Sequence, residues 1–208
     1  MATATASSYL PRSPWARGAA VVSLLLAIGL VAFGAWRALR PAEAPALIGG
    51  AFSLTDQFGK TRTDADFRGK FLLVFFGFTH CPDICPIELQ TLSDTMDQLG
   101  PAADKVTPLF VSVDPERDTP EVMRQYVANF NPHIVALTGT VAEVAAVAKA
   151  YRVYYAKATN GTASNNDADY ILNHSAIVYV MGPDGRFVSH FDPGASAATM
   201  TAALRKLL

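Results

Sequence analysis

The 208-residue chain has only two cysteines, Cys81 and Cys85, and both fall in one five-residue stretch. Two cysteines cannot form the set of disulfides that stabilises small secreted domains. This pair also cannot link distant parts of the chain, because the two residues are close in sequence. Any role of these cysteines is therefore local to one short segment.

Acidic residues are absent before Glu43. Four of the 17 basic residues lie in that N-terminal part, so the remainder carries 13 basic against 18 acidic residues. The remainder is mildly acidic and contains no cluster of lysine and arginine, which argues against nucleic acid as a partner.

Charged residues are also absent from the 19 residues 18–36. A transmembrane helix needs about 20 apolar residues, whereas the apolar core of a secretory signal has about 7–15. The length therefore predicts a retained anchor over residues 18–36, with a cleaved signal as the alternative. We expect an N-terminal segment 1–17 before it, a linker 37–50 rich in Pro, Ala and Gly, and one folded domain over 51–208.

The charges that flank the anchor do not orient it, because two arginines precede it and two follow it. A single N-terminal anchor followed by one domain usually places that domain outside the cytoplasm. We therefore expect a bacterial inner-membrane protein whose domain faces the periplasm. The first 20 residues contain serine and arginine but no acid, so a mitochondrial protein facing the intermembrane space is the alternative.

Apolar runs alternate with helical patterns along residues 51–208. A hairpin is predicted around Gln57–Lys60, and a polar loop over 159–169. Buried strands are predicted at 71–77, 107–113 and 175–181, with a shorter strand at 133–137. Helices are predicted at 84–99, 120–130, 141–151 and 195–208. This order predicts an α/β, thioredoxin-like three-layer sandwich behind the N-terminal transmembrane helix.

The cysteines lie in the segment FTHCPDICP, residues 78–86, between a predicted strand and a predicted helix. Backbone N–H groups and the helix dipole at that place favour thiolates, so both sulfur atoms are expected to be reactive. Dithiol redox sites usually have C-x-x-C spacing, and this segment has one residue more. The spacing alone leaves open a redox pair and a pair of metal ligands.

His174 favours the metal. It is predicted to begin the last central strand, beside the cysteine-bearing strand, where thioredoxin-type oxidoreductases have a cis-proline. No proline occurs between Tyr151 and Ser175. Two thiolates and one imidazole make a soft site that suits copper, as Cu(I) or Cu(II), whereas structural zinc normally needs four protein ligands. His80 adjoins Cys81 but is expected to point across the strand–helix junction, so its claim as a ligand is weaker. His133 and His190 are interpreted as structural.

Three blocks of the sequence, GKFLLVFFGFTHCPDICP, VSVDPERDTP and DYILNHSAIVYVMGPDG, resemble the signature blocks of the SCO/SenC family. The resemblance extends from about residue 48 to residue 208. It implies a membrane-held thioredoxin-like domain that binds copper through Cys81, Cys85 and His174. It also implies a role in assembling the binuclear copper centre, CuA, in subunit II of cytochrome c oxidase. No chemistry is assigned to VDPERDTP, for which a docking surface is one interpretation.

The leading hypothesis is thus a copper chaperone, a binding and transfer protein rather than an enzyme. The alternative is a thiol-disulfide oxidoreductase, with Cys81 and Cys85 as its catalytic residues, that reduces the cysteines of the copper-receiving partner. A redox or copper sensor is a third class. The expected partners are oxidase subunit II and the membrane, with other copper chaperones or thiol-disulfide reductases as further candidates.

Overall fold

A long apolar helix and a mixed α/β unit make up the described part of the chain. The structure is a computed structural model that describes residues 14–38, 48–158 and 170–208. The predicted polar loop 159–169 lies outside these residues. Helix α1 covers Pro14–Ala38, and its stretch Gly18–Ala35, with a mean hydropathy of 2.3, is long and apolar enough to cross a membrane. The α/β part belongs to a second, separate unit.

Strands and helices alternate through most of the second unit. Its strands are β1 (Ser53–Asp56), β2 (Thr61–Thr63), β3 (Phe71–Gly77), β4 (Val106–Ser112), β5 (Val135–Thr138), β6 (Tyr155–Lys157), β7 (Leu172–His174), β8 (Val178–Met181) and β9 (Phe187–Phe191). Its α-helices are α2 (Ile84–Leu99), α3 (Pro120–Val127), α4 (Val141–Ala150) and α5 (Ala197–Leu207). Short 3₁₀ helices cover Asp64–Phe67 and Gly100–Lys105.

Seven strands form the main sheet in the order β2-β1-β5-β4-β3-β8-β9, and β6 pairs with β7 in a second, two-stranded sheet. The pairs β3/β4 and β4/β5 are parallel, and the remaining pairs are antiparallel. Helix α2 packs against α5, α3 against β5, and α4 against β1. The unit is therefore a mixed α/β fold of the thioredoxin-like type, as the sequence predicts.

Strand β3 and helix α2 have the bounds predicted from the sequence, residue for residue. Six of the seven residues of β3 are buried, as expected for an apolar strand at the centre of a sheet. In α2, the predicted apolar face is buried through Leu89, Leu92, Met96 and Leu99. The helix ends at Gly100, whose positive φ of 60° suits glycine.

Helix α3 begins where the sequence predicts and ends earlier. The Thr119 hydroxyl accepts a hydrogen bond from the N–H of Val122, and proline occupies the first helical position. The helix stops at Val127, three residues before the predicted end. There the Asn129 side chain donates to the carbonyl oxygens of Gln125 and Tyr126, which replaces helical hydrogen bonds.

The prediction that His174 begins the last central strand is wrong. His174 ends β7 and pairs with Tyr155 of β6, while β8 starts only at Val178. The backbone N–H of Ser175 donates to the carbonyl of Tyr154 at 2.9 Å, which ties this end of β7 to the segment before β6. An apolar run does not reveal which strand each residue pairs with. The sequence pattern therefore predicts one strand where the structure has two, β7 and β8.

The last residue of β3, Gly77, lies unusually close to the start of α2. A Cβ atom on Gly77 would lie 2.7 Å from the Sγ of Cys85 and 2.9 Å from the ring of Phe110. Both neighbours are fully buried, so neither has free space to move into. The absence of a side chain at this position lets the cysteine pack directly on the strand.

We expect Gly77→Ala to lower the free energy of unfolding by about 1–3 kcal/mol, because the added methyl group overpacks a closed core. Gly182→Ala is a matched control, since its Cβ would meet the exposed, movable carboxylate of Asp184 at 2.9 Å. That control should lose less than about 1 kcal/mol. Chemical denaturation measures both values, and equal losses would contradict the close packing of Gly77.

Helix α2 also buries a carboxyl group, that of Glu88, which is 1% exposed. Burial raises its pKa to about 7, although the backbone N–H of Gly194 donates to it. Its Oε1 atom is buried and has no hydrogen-bond partner among the described residues. Because burial disfavours the charged form, folding favours the protonated carboxyl.

The native pKa lies above the unfolded value of about 4.5, so the contribution of Glu88 to stability is full below pH 4.5. It falls as the pH rises to about 7, by up to about 3 kcal/mol. Glu88→Gln should remove this loss, so that the variant gains stability over the wild type as the pH rises. Denaturation at pH 4.5, 6 and 8 measures the difference, with Glu116→Gln as an exposed control. A difference that does not change with pH would contradict this account.

Candidate metal centre

Three elements bring the two cysteines and His174 together. Cys81 lies in the turn that follows β3, Cys85 is the second residue of α2, and His174 is the last residue of β7. Their ligand atoms all lie within 4.8 Å of one another. Within residues 14–38, 48–158 and 170–208, this is the one group of three or more Cys, His, Asp or Glu side chains arranged to hold a metal ion.

The sheet topology explains why His174 lies close to the two cysteines. Strand β8 runs antiparallel to β3 with Val178 opposite Phe75, so the chain just before β8 passes the end of β3 that leads to the cysteines. His174 packs there against two aromatic rings edge to face, with centroid distances of 6.2 Å to Phe75 and 5.7 Å to Phe78. These contacts hold the imidazole between the strand and the cysteine segment.

The imidazole presents Nε2 to the buried cysteine. Nε2 of His174 lies 3.5 Å from Sγ of Cys85, and Nδ1 lies 3.2 Å from the carbonyl oxygen of Ser175. A carbonyl can only accept a hydrogen bond, so Nδ1 carries the proton in the neutral ring. The lone pair of Nε2 then points into the cluster, which is the arrangement found in metal-binding histidines.

Burial has opposite effects on the pKa values of the two buried ligands. It lowers the pKa of His174, against hydrogen bonds with the backbone of Ser175 and Phe76 that raise it. Burial also strongly raises the pKa of Cys85, and the nearby Cys81 adds to that rise, against a hydrogen bond from the backbone of Phe78. At neutral pH the metal-free site therefore holds a neutral imidazole and a protonated Cys85 thiol.

The expectation that the start of the helix makes both sulfur atoms thiolates is thus wrong for Cys85. The field of a helix end is worth about 0.3–2 kcal/mol, whereas removing a thiolate from water costs more. Asp83, at the N-cap of α2, makes no side-chain capping bond. A metal ion that binds here must displace the Cys85 proton.

The two cysteines differ in their access to solvent. Both are free thiols; Cys85 is fully buried and Cys81 is half-buried. Cys81 is therefore the more exposed of the two residues. The three ligand atoms suit a soft metal ion, because thiolates and imidazole select copper over hard cations. The two neighbouring thiols also suit dithiol–disulfide exchange.

The other three histidines of the chain have different neighbours. His80 is half exposed and lies 3.1 Å from the hydroxyl of Thr79. His133 contacts the side chain of Asn131 at 2.9 Å, and His190 on β9 lies 3.5 Å from Asp192. None of the three belongs to the group formed by the cysteines and His174.

The sequence did not reveal the buried polar groups next to the site. Asp114 and Asp118, both in the VDPERDTP segment, are 3% and 0% exposed. Asp118 accepts hydrogen bonds from Thr79, two residues before Cys81. Two acids beside proline and arginine resemble an ordinary charged loop, and only their burial distinguishes them. Tyr170, which donates a hydrogen bond to Asp114, lies in the third block of the resemblance, but nothing in the sequence indicated this contact.

Comparison with known proteins agrees with this geometry. The family model described as SCO1/SenC matches residues 40–208. Among the relatives, "Protein SCO2 homolog, mitochondrial" of Bos taurus is 41% identical, and the match covers 94% of this chain and 77% of that protein. "Protein SCO1 homolog, mitochondrial" of Homo sapiens is 45% identical, and the match covers 76% of this chain and 52% of that protein.

Solved structures show the same fold. The structure of Bradyrhizobium japonicum ScoI with copper bound is 46% identical, with a TM-score of 0.71, and the match covers 77% of this chain and 99% of that one. The crystal structure of yeast Sco1 with copper bound is 37% identical, with a TM-score of 0.69, over 76% of this chain and 87% of that one. The family model spans the whole α/β part and the relatives match it at 37–46% identity, so this chain belongs to the SCO1/SenC family.

Proposed function

We propose that this protein is a membrane-anchored copper chaperone that delivers copper to the CuA centre of cytochrome c oxidase subunit II. The observation that carries the proposal is the convergence of Cys81, Cys85 and His174 within 4.8 Å. Two thiolates and an imidazole are ligands that favour copper, and the fold brings the three side chains that can supply them together.

The ligand number supports transfer rather than permanent storage. The cluster offers three protein ligands, whereas structural zinc sites use four. The imidazole of His174 is already neutral and its Nε2 atom faces Cys85. The side chain therefore needs little rearrangement to bind a metal ion. Cys81 is the accessible ligand, and an incoming thiolate of a partner can replace it first. The likeness to ScoI and yeast Sco1, which were solved with copper bound, adds support.

The apolar helix α1 supports attachment to a membrane. We propose residues 18–36 as the anchor, 37–50 as a linker and 51–208 as the copper-binding domain. We place the domain in the periplasm, on the bacterial inner membrane, with the mitochondrial intermembrane space as the alternative. Relatives of both origins match the chain, since ScoI is from Bradyrhizobium japonicum and the bovine and human proteins are named mitochondrial.

A second candidate function is reduction of a disulfide in the copper-receiving partner. The unequal exposure of the two thiols favours it. The half-buried Cys81 can attack a partner disulfide, and the buried Cys85 can then resolve the mixed disulfide. The partner gains two thiols while Cys81 and Cys85 become a disulfide. This reaction uses neither copper nor His174.

The ligand assignment predicts one tightly bound copper ion per chain. Cys81→Ser, Cys85→Ser and His174→Ala should each weaken Cu(I) binding by more than about 100-fold, because each removes a direct ligand. Anaerobic competition with a chromophoric chelator measures the affinity. His133→Ala, which changes a histidine outside the cluster, is the control and should bind as the wild type does. Full affinity in His174→Ala would refute the three-ligand site.

Delivery and reduction can be separated with one recipient, the soluble CuA fragment of oxidase subunit II. Copper-loaded protein, mixed anaerobically with the reduced apo fragment, should transfer its metal and produce the CuA absorption spectrum. Copper-free protein, mixed with the oxidised fragment, tests thiol exchange.

If the protein is a chaperone, His174→Ala should lose the transfer reaction. Unchanged transfer by His174→Ala, or release of fragment thiols without any metal transfer, would favour the reductase instead.

A further inference from the structure

We propose that the DPERD loop, residues 114–118, is a clamp that positions the ligands of the metal centre. One arm, Asp118, holds the segment that leads to the cysteines. The other arm, Arg117 with Asp114, holds the strand that carries His174. This inference rests on the copper-binding role proposed above and assigns the positioning residues of the same site.

The first arm is a set of hydrogen bonds to a fully buried carboxylate. Asp118 Oδ1 accepts from the hydroxyl of Thr79 at 2.6 Å, and Asp118 Oδ2 accepts from the backbone N–H of Thr79 at 3.1 Å. Thr79 is two residues before Cys81, in the turn between β3 and α2. The carboxylate therefore fixes both the backbone and the side chain of the turn that places Cys81.

The second arm reaches the segment that enters β7. Nε of Arg117 donates to Asp114 at 2.5 Å, and another guanidinium nitrogen donates to the carbonyl of Tyr170 at 3.0 Å. The guanidinium carbon lies 3.7 Å from the centroid of the Tyr170 ring, and the Tyr170 hydroxyl donates to Asp114. Tyr170 is four residues before His174, so two hydrogen bonds and one cation–π contact hold the segment that enters that strand.

Arg117 also connects the two sides of the metal centre directly. Its guanidinium carbon lies 5.9 Å from the centroid of Phe78, whose ring packs edge to face on His174. Phe78 precedes the cysteine segment, and Tyr170 precedes the histidine. One cation thus contacts an aromatic ring on each side of the metal centre.

The two arms share one rigid base. The hydroxyl of Ser112 donates to Asp118 at 2.6 Å and accepts from the backbone N–H of Asp114 at 2.9 Å. The backbone N–H of Asp118 donates to the carbonyl of Asp114 at 2.9 Å, which closes a tight turn. The N–H of Val113 donates to the carbonyl of Gly77 at 2.8 Å and joins the turn to the end of β3. Both arms are therefore anchored in the same short turn.

Burial makes these contacts effective. Asp114 and Asp118 are almost completely buried, and the Arg117 side chain is 16% exposed. Charged hydrogen bonds are strong and geometrically specific in such surroundings. Groups that orient metal ligands from outside the coordination shell typically change metal affinity by about 10–100-fold when they are lost.

The arms act on different ligands, and that difference is testable with Cu(I), supplied anaerobically and measured by chelator competition. We expect Arg117→Met to weaken Cu(I) binding about tenfold in the wild-type background. It should have a clearly smaller effect in the His174→Ala background, because the ligand that this arm chiefly positions is gone. Asp118→Asn should weaken binding in both backgrounds, since it acts through the cysteine segment.

Arg124→Met is the matched control, because Arg124 is an exposed arginine on α3 that forms an ion pair with Glu121 at 2.6 Å. It should leave Cu(I) affinity unchanged in both backgrounds. An equal loss for Arg117→Met in the two backgrounds, or no loss in the wild type, would overturn the clamp. Arg117→Lys, which keeps the charge and loses the planar fork, should reproduce the effect if the methionine variant does not fold.

A copper-free measurement separates this inference from the proposed function. Amide hydrogen exchange of the full chain should show faster exchange in β7 for Arg117→Met, and at Thr79 for Asp118→Asn, with the core of β3 unchanged. Unchanged exchange in β7 of the Arg117→Met variant would contradict the positioning role of Arg117. If the wild type binds no Cu(I) while the exchange pattern is as expected, the proposed function fails and the clamp remains.

Discussion

Strand β8 pairs antiparallel with β3, and the metal centre depends on this pairing more than on any single contact. It brings His174 to within 3.5 Å of Cys85, although the two residues are 89 positions apart in the chain. The parallel pairing of β3 with β4 brings the DPERD loop to the same edge, because parallel strands end together. Three loops that are distant in sequence thus meet at one place.

Close packing at that edge determines the chemistry of the cysteines. Gly77 leaves room for Cys85 to lie against the strand, and the resulting burial raises the pKa of the Cys85 thiol. Metal binding then requires loss of a proton, so copper affinity and proton release are coupled. Cys81 is the more exposed of the two residues. Burial therefore gives the two cysteines different environments.

The charged groups around the centre are arranged as a network rather than as isolated pairs. Ser112 joins Asp114 to Asp118, and Arg117 extends the network to Tyr170. Buried ions stabilise a fold little compared with apolar residues of the same size, but removal of one partner leaves an uncompensated charge. Such a network is better suited to fixing geometry than to adding stability, which is what preorganised metal ligands require.

The sequence by itself determined the elements whose signal is local. The bounds of β3 and α2, the apolar helix and the cysteine pair follow from periodicity, length and residue type, whereas His174 is predicted as a ligand from its expected place in the fold and from the family resemblance. The sequence could not show that His174 ends a separate strand, because an apolar run does not indicate which strands it pairs with. It also could not show that Asp114 and Asp118 are buried, or that Cys85 is protonated. Burial and pairing are properties of contacts between distant segments, so only the tertiary structure decided them.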